Sequence, residues 1–286
     1  MADLQTALRQ AQAEGADRLD AQLLLLSALG TPATDIHHRR SWLLAHGDDV
    51  LAPDAADRFA TLLRRRLDGE PLAYLTGHKE FFGLDLLVDA RVLVPRPDTE
   101  ILVEWALEVL HDEAARHPPG TPLAALDLGT GSGAIALALL QQLPALQMDA
   151  VDASEAAVAV ARQNAQRLGL RLQVLRGHWL APVQRRYHCI VSNPPYIAEH
   201  DAHLPALAHE PLQALVSGAD GLDDIRHIVA HAPVRLEDGA WLLLEHGFDQ
   251  AAAVRALLRD GGFAAVQSRH DLAGHERCTG GRWLRP

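Results

Sequence analysis

The first quarter of the chain carries its apolar residues at helical spacing. These residues recur one turn apart or stop at a glycine, which is the pattern of short packed helices. The signals are Leu4 and Leu8, the run Leu23-Leu24-Leu25-Leu26 that stops before Gly30, and Pro53-Asp54, which opens a helix through Arg66. The sequence therefore predicts a small helical domain over residues 1–73.

From residue 74 to residue 95 the pattern changes to short apolar runs. Phe81-Phe82 is separated from the run 84–88 by Gly83, and Asp89 follows that run. Strand-length runs bounded by turn residues predict a β-hairpin, expected here to be a linker. From residue 96 to residue 286 a predicted helix over 101–114 is followed by alternating strand and helix patterns. We expect this part to be an α/β domain of the doubly wound, Rossmann-like class.

One predicted strand-to-helix connection is rich in glycine. The apolar run 123–126 ends in Asp127-Leu128-Gly129-Thr130-Gly131-Ser132-Gly133, and a helical pattern follows over 134–140. Glycines let the backbone turn tightly and approach a ligand closely. Gly129, Gly131 and Ala134 also fit the relaxed dinucleotide fingerprint, so nicotinamide binding is an alternative, and a turn without a ligand is another.

Asp152 ends the next predicted strand, 23 residues after Gly129. A carboxylate at this place can accept hydrogen bonds from both hydroxyls of a ribose. The alternative is that Asp152 only caps the helix predicted over 154–168.

Asn193-Pro194-Pro195-Tyr196 follows an apolar run predicted to be a buried strand. Hydride transfer has no use for this tetrapeptide, whereas methylation of an amide or exocyclic amine does. The lone pair of such a nitrogen is delocalised, so its N–H groups must be held by fixed acceptors, which the Asn193 side-chain oxygen and the Pro194 carbonyl can supply. Pro194 and Pro195 stiffen the turn, and Tyr196 can lie against the flat target group. A plain Pro-Pro turn is the structural alternative.

With these motifs the chain resembles the release factor glutamine methyltransferases. Further segments that carry the resemblance are Glu70-Pro71-Leu72-Ala73-Tyr74-Leu75-Thr76-Gly77, Val94-Pro95-Arg96-Pro97-Asp98-Thr99-Glu100 and Leu242-Leu243-Leu244-Glu245-His246-Gly247. The resemblance implies a class I methyltransferase domain and S-adenosylmethionine as donor. It places the donor on Asp127 and residues 129–133, with Asn193 beside it, the ribose on Asp152 and the adenine against Trp179. It places the glutamine of a Gly-Gly-Gln motif in class I release factors on residues 193–196.

One position departs from the family pattern. The chain has Gly177-His178-Trp179, where relatives usually carry an acid before the aromatic residue. A neutral imidazole accepts through one nitrogen only, so the contact to the adenine amino group is in question. We expect the donor to bind, more weakly or with water in the gap, and the alternative for His178 is a solvent-facing side chain.

Composition and net charge argue against some functional classes. The chain has 286 residues, 48% hydrophobic residues and a formal charge of −11, which disfavours extended contact with a phosphate backbone. The basic groups His37-His38-Arg39-Arg40 and Arg64-Arg65-Arg66 could meet an acidic partner or a tRNA-like surface, although a solvated helix face is the more common role. No membrane span or signal sequence is recognised, so we expect a cytoplasmic protein. Cys189 and Cys278 are expected to be buried free thiols.

Three further hypotheses concern the substrate. The helical domain is expected to recognise the release factor, and Arg96 and Glu100 to line the substrate cleft, with a structural salt bridge as the alternative. The loop 198–216 carries His200, His203, His209 and Glu210. Its spacing does not match a common metal motif, so a solvated loop on the substrate side is favoured over a metal site, and ordering of this loop over the bound glutamine is a further alternative.

The sequence thus predicts a glutamine N5-methyltransferase that uses S-adenosylmethionine and acts, as a monomer, on class I release factors. An adenine-N6 methyltransferase for DNA or RNA is the main alternative, since an exocyclic amine poses the same chemical problem. A nicotinamide-binding protein, or a binding module without chemistry, is the second.

Overall fold

The computed structural model describes residues 3–31 and 39–285. The chain forms two compact units, one of Met1–Lys79 with Leu87–Ala90 and the other of Glu80–Leu86 with Arg91–Pro286. His37 and His38 of the first basic group lie outside the described residues.

The first unit is helical. Its described helices are α1 (Leu4–Ala13), α2 (Arg18–Ala28), α3 (Arg40–Ala45), α4 (Pro53–Leu67) and α5 (Leu72–Thr76). The four leucines 23–26 are at most 4% exposed, because α2 packs against all four of the others. A helix that is apolar all round must be covered on all sides, which explains why this run has no polar face. Helix α5 ends at Thr76, three residues beyond the predicted end of the helical pattern at residue 73, and Gly77 follows it in the left-handed conformation.

The predicted hairpin is observed. Strands β1 (His78–Phe81) and β2 (Leu84–Leu87) form a two-stranded sheet, and Phe82 and Gly83 both have positive φ at the turn. The backbone N–H of Phe82 donates to Oε1 of Glu100 over 3.0 Å.

In the described residues the second unit is a seven-stranded sheet with helices on both faces. The elements are α6 (Glu100–Arg116), β3 (Ala124–Leu128), α7 (Ala134–Gln142), β4 (Gln147–Asp152), α8 (Glu155–Leu168), β5 (Gln173–Arg176), β6 (Tyr187–Ser192), α9 (Asp223–His231), β7 (Leu236–Glu245), α10 (Ala251–Asp260), β8 (Phe263–His270) and β9 (Glu276–Trp283). The strand order is β5-β4-β3-β6-β7-β9-β8. Strands β3 to β7 run parallel, and β9 is antiparallel to both of its neighbours.

Alternate residues of the central strands enter two different hydrophobic clusters. Ala125, Cys189 and Leu243 pack in one cluster, whereas Leu126 and Ile190 pack in the other. Because successive strand residues face opposite sides, the sheet is buried on both faces. Both cysteines are buried and free.

The strand order reverses between β3 and β6, which is where open α/β sheets bind ligands. The doubly wound fold with a helical N-terminal unit and a hairpin is therefore confirmed. None of the described helices has the length and apolar character needed to cross a membrane.

Candidate functional site

The chemistry-bearing residues leave the sheet at one edge. In the pairing register Ser192 lies opposite Leu128 on one side and Leu244 on the other, and Leu128 lies opposite Val151. Asn193 and Glu245 therefore emerge beside each other, level with the start of the glycine loop. The sheet brings together motifs that are more than 100 residues apart in the chain.

The glycine loop, residues 129–133, takes its shape from its own backbone. Gly129, Gly131 and Gly133 have φ of 72°, 55° and 84°, in the left-handed region that side chains rarely adopt. A Cβ on Gly133 would lie 3.1 Å from Leu137, so this glycine serves helix packing. Thr130 donates to the buried carboxylate of Asp127 over 2.6 Å. Burial raises the pKa of Asp127 to about 7.

Asp152 ties the loop to the next strand end. Its Oδ2 accepts from the N–H of Gly131 and its Oδ1 from the N–H of Ser154, both at 2.9 Å. Burial raises the pKa of Asp152, while these two hydrogen bonds act in the opposite direction. Each carboxylate oxygen retains a lone pair for a further donor. Asp152 therefore holds the loop and the start of α8 and can still accept from a ligand.

A cavity of about 380 Å³, the glycine-loop cavity, opens over these groups. Its lining includes Gly129, Gly131, Asp152, Ser154, Gly177, His178, Trp179, Asn193, Pro195 and Asp224, together with residues 91–93 and Ala214. Its volume is within the range of small-molecule sites.

Trp179 and Asp224 form one wall of the glycine-loop cavity. Trp179 has a φ of 47°, and a Cβ on Gly129 would lie 3.3 Å from its ring. The indole N–H donates to Oδ1 of Asp224 over 3.2 Å. Asp224 lies in the first turn of α9, and its backbone N–H donates to Oγ of Ser217 over 2.8 Å. The cavity thus contains an acid beside the aromatic ring, although the residue before Trp179 is a histidine.

His178 packs against its aromatic neighbours. Its ring centroid lies 5.7 Å from that of Trp179 and 5.6 Å from that of His227, and His227 stacks on His231. Burial lowers the pKa of His227, and the two neighbouring imidazoles lower it further.

A second cavity of about 330 Å³, the tyrosine cavity, lies at the Asn-Pro-Pro-Tyr turn. It is lined by Leu93, Arg96, Asn193, Tyr196, Ile197, Leu207, Ala214 and Leu215. Asn193, Leu93 and Ala214 line both cavities, so Asn193 lies where the two meet. The Tyr196 carbonyl accepts from Nε2 of Gln250 over 3.0 Å, which anchors the end of the turn.

A buried polar chain supports the turn from below. Nδ2 of Asn193 donates to Oγ1 of Thr99 over 3.2 Å, and Thr99 in turn hydrogen bonds to Glu245. The Tyr196 hydroxyl lies 3.4 Å from Oε1 of the same Glu245. Glu245 is 1% exposed and Thr99 is 4% exposed. Burial raises the pKa of Glu245 to about 7, against the opposing effects of Thr99 and the nearby Arg277.

Glu210 differs from the expectation of a solvated loop. It is 8% exposed, forms an ion pair with Arg96, and accepts from the backbone N–H of Val94 over 3.1 Å. Arg96 therefore forms a structural salt bridge, with a partner that the sequence did not indicate, and it also lines the tyrosine cavity. Among the described residues no group of three or more His, Cys, Asp or Glu side chains is arranged to hold a metal ion.

The predicted site residues divide into lining and supporting positions. Gly129, Gly131, Asp152, Trp179, Asn193 and Pro195 line the glycine-loop cavity, and Arg96, Asn193 and Tyr196 line the tyrosine cavity. In the described part of the chain the lining of neither cavity includes Asp127, Thr130, Ser132, Gly133, Pro194 or Glu100. Four further residues belong to the site and are not predicted from the sequence: Leu93, Thr99, Asp224 and Glu245. Thr99 and Glu245 lie within segments that carried the family resemblance, whereas Asp224 has no such signal.

Comparison with protein families gives two matches along the chain. The Methyltransferase small domain matches residues 108–220, and the PrmC N-terminal domain matches residues 2–77. The two matched regions correspond to the α/β part and the helical part of the chain.

Curated relatives extend over almost the whole chain. The "Release factor glutamine methyltransferase" of Pseudomonas aeruginosa is 47% identical over 93% of this chain and 92% of its own. That of Bordetella pertussis is 48% identical over 93% and 95%, and that of Escherichia coli is 41% identical over 98% and 97%.

Solved structures agree with the fold. A methyltransferase from Pyrococcus furiosus superposes with a TM-score of 0.53 at 17% identity, covering 79% of this chain and all of its own. Human methyltransferase 10 domain containing protein gives 0.53 at 17% identity over 71% and 89%. At this identity the likeness shows the fold alone. The relatives confirm the resemblance seen in the sequence motifs, and the chain belongs to the release factor glutamine methyltransferase family.

Proposed function

We propose that this chain transfers a methyl group from S-adenosylmethionine to the side-chain amide nitrogen of the glutamine in the Gly-Gly-Gln motif of class I release factors. The observation that carries the proposal is the position of Asn193, which lines both the glycine-loop cavity and the tyrosine cavity. Methyl transfer requires a donor and an acceptor to meet in line at one point. The names of the curated relatives support the choice of glutamine as target.

The glycine-loop cavity fits the donor. Gly129 and Gly131 give a cradle without side chains, Asp152 has acceptor capacity for the two ribose hydroxyls, and the Trp179 ring offers a flat apolar wall for adenine. Asp224 lines the same wall and can accept from the adenine amino group through Oδ2, a role that His178 fills less well. The donor supplies, when bound, an electrophilic methyl group on a sulfonium leaving group.

The turn would hold the glutamine amide. The Asn193 side-chain oxygen and the Pro194 carbonyl accept its two N–H bonds, which directs the nitrogen lone pair towards the glycine-loop cavity. Positioning of this kind can lower a barrier by several kcal/mol. Tyr196 would limit rotation of the amide plane, and Leu93 and Ala214 exclude water where the cavities meet.

No side chain needs to remove the proton before transfer. The amide nitrogen becomes acidic once methylated, so the proton can leave to water. Burial raises the pKa of Tyr196 well above its usual value, so this hydroxyl stays protonated and cannot serve as a base. The residues at the turn therefore act by orientation.

The helical unit is proposed to recognise the release factor, because a pocket for one side chain cannot select one protein. Arg64, Arg65 and Arg66 lie on α4, where Arg65 pairs with Glu70 and Arg66 with Asp20. We place the enzyme in the cytoplasm as a monomer, where translation supplies its substrate.

The test is transfer of labelled methyl from S-adenosylmethionine to a purified class I release factor. Two control substrates are assayed in parallel. One is the same factor with its Gly-Gly-Gln glutamine changed to alanine, and the other is bulk DNA. Label only on the glutamine form supports the proposal, and Asn193→Ala should then lower transfer by about 100-fold or more. Label on DNA would instead favour the adenine-N6 methyltransferase activity. Label on the alanine form would show that the glutamine of the Gly-Gly-Gln motif is not the methylated residue.

A further inference from the structure

Glu245 lies at the end of β7, directly beside the end of β6 that carries Asn193. It lines neither cavity in the described part of the chain, yet it is connected to two residues of the turn. One connection runs through Thr99 to Asn193, and the other runs to the Tyr196 hydroxyl. This buried carboxylate has no part in the proposed reaction, so its position requires an explanation.

The direction of each hydrogen bond follows from the groups available. When Glu245 is ionised, above its pKa of about 7, its carboxylate can only accept, so Thr99 must donate its single hydroxyl hydrogen to Glu245. Thr99 can then only accept from Asn193, which must present its NH₂ group to Thr99. The Asn193 oxygen is left for the cavities that the residue lines. Without this constraint the amide could turn over, because the two ends of an asparagine side chain have the same shape.

We propose, building on the proposed function, that Glu245 is a positioning residue which acts through Thr99 to fix the Asn193 amide with its oxygen towards the substrate. A turned amide would present N–H donors to the N–H donors of the glutamine. That arrangement would lose the acceptor on which orientation depends. The same carboxylate accepts from Tyr196, so one buried group sets the two side chains that hold the substrate.

The surroundings of Glu245 leave it available for this role. Oε2 has no hydrogen-bond partner among the residues that the structure describes. Arg277 is the nearby cation, and it is shared with Asp98 and Asp271, at 3.5 and 3.3 Å. Arg277 is thus paired mainly with these two aspartates, and the hydrogen bonds of Glu245 are made with the hydroxyl groups of Thr99 and Tyr196.

The first experiment changes Thr99 in the full-length protein. Thr99→Val keeps the shape of the side chain but removes the hydroxyl, whereas Thr99→Ser keeps the hydroxyl. We expect kcat for methyl transfer to fall about 10- to 100-fold in Thr99→Val and to return to within about threefold of the wild type in Thr99→Ser. The dissociation constant of S-adenosylhomocysteine should stay within about twofold in both, because Thr99 does not line the glycine-loop cavity.

The second experiment combines Thr99→Val with Glu245→Gln. Glutamine can donate to Thr99 and so permits the turned amide, and we expect a smaller loss of about 3- to 10-fold in kcat. If both residues act through Asn193, the double variant should be about as slow as Thr99→Val alone. Tyr187→Phe is the matched control. It removes another buried tyrosine–carboxylate hydrogen bond, to Asp149 at 2.8 Å, and should keep wild-type kcat.

The outcomes separate the two proposals. No transfer by the wild type to the release factor would overturn the proposed function and this inference together. Wild-type transfer with an equally active Thr99→Val variant would overturn the inference alone. Losses of the two single variants that multiply in the double variant, or a Thr99→Ser variant as slow as Thr99→Val, would also overturn it.

Discussion

The glycine loop and the Asn-Pro-Pro-Tyr turn leave neighbouring strands at the same edge of the sheet, yet they are held in different ways. The loop is shaped by its own residues, since three glycines adopt positive φ and Asp152 binds the loop backbone. The turn depends on residues far away in the chain, namely Thr99, Glu245, Gln250 and Gly221. The conformation of the loop can therefore be predicted from its own sequence motif. The conformation of the turn can be explained only once the fold has brought the distant residues that support it into contact.

The largest expected effect comes from the support of the turn at Gly221. This residue has a φ of 75°, and a Cβ there would collide with the Tyr196 carbonyl oxygen and approach the Gln250 amide. Gly221→Ala should displace the turn and lower kcat for methyl transfer by about 100-fold. Measurement of transfer to a release factor checks this.

Gly120→Ala is the matched control for that experiment. Gly120 has a φ of 85° but a Cβ there would meet nothing within 4 Å. The backbone strain is therefore similar without the collision, and activity should stay near that of the wild type. Equal losses in the two variants would mean that strain alone, and not the support of Tyr196, explains the result.

A smaller effect is expected on the donor side, where Asp224 and His178 compete for the same role. If Asp224 accepts from the adenine amino group, Asp224→Ala should raise the dissociation constant of S-adenosylhomocysteine about 10-fold. His178→Ala should raise it less than about threefold. Isothermal titration calorimetry distinguishes the two, and a larger loss from His178→Ala would assign the adenine contact to the histidine.

The smallest expected effect is on the pH dependence of stability. Burial raises the pKa of Glu245 to about 7 from an ordinary value of 4.5. The folded protein therefore favours the protonated form, and the stabilisation is complete below about pH 4.5 and is lost as the pH rises through about 7. Glu245→Gln has no titrating group at this position. The difference in free energy of unfolding, variant minus wild type, should therefore rise by about 1–3 kcal/mol from pH 5 to pH 8.

Urea unfolding of both proteins at the two pH values measures this difference. Asp127 titrates in the same direction, with a pKa raised to about 7, and remains in both proteins, so it cancels in the comparison. A constant difference between the two proteins across this pH range would contradict the prediction.

The contrast between loop and turn also explains what the sequence could predict. The doubly wound fold, the hairpin and the helical unit follow from local periodicity, and Gly129, Asp152 and Asn193 lie at strand ends that the pattern locates. Glu210 and Val94 are 116 residues apart, and Asn193 and Thr99 are 94 apart. Pairings of this kind arise only once the sheet and the loop 198–216 have come together. Asp224 was missed for the same reason, since it reaches Trp179 from a helix 45 residues later.

The pairing of Ser192 with both Leu128 and Leu244 has a consequence for how this enzyme can change over time. Inserting one residue in the regularly paired part of β6, from Cys189 to Ser192, would move Asn193 by about 3.3 Å and turn it to the other face of the sheet. The position of Asn193 relative to the glycine loop is therefore set by the register of these strands and cannot be adjusted in small steps. A new acceptor can arise only through the loops and helices around the tyrosine cavity, while the strand that presents Asn193 stays as it is.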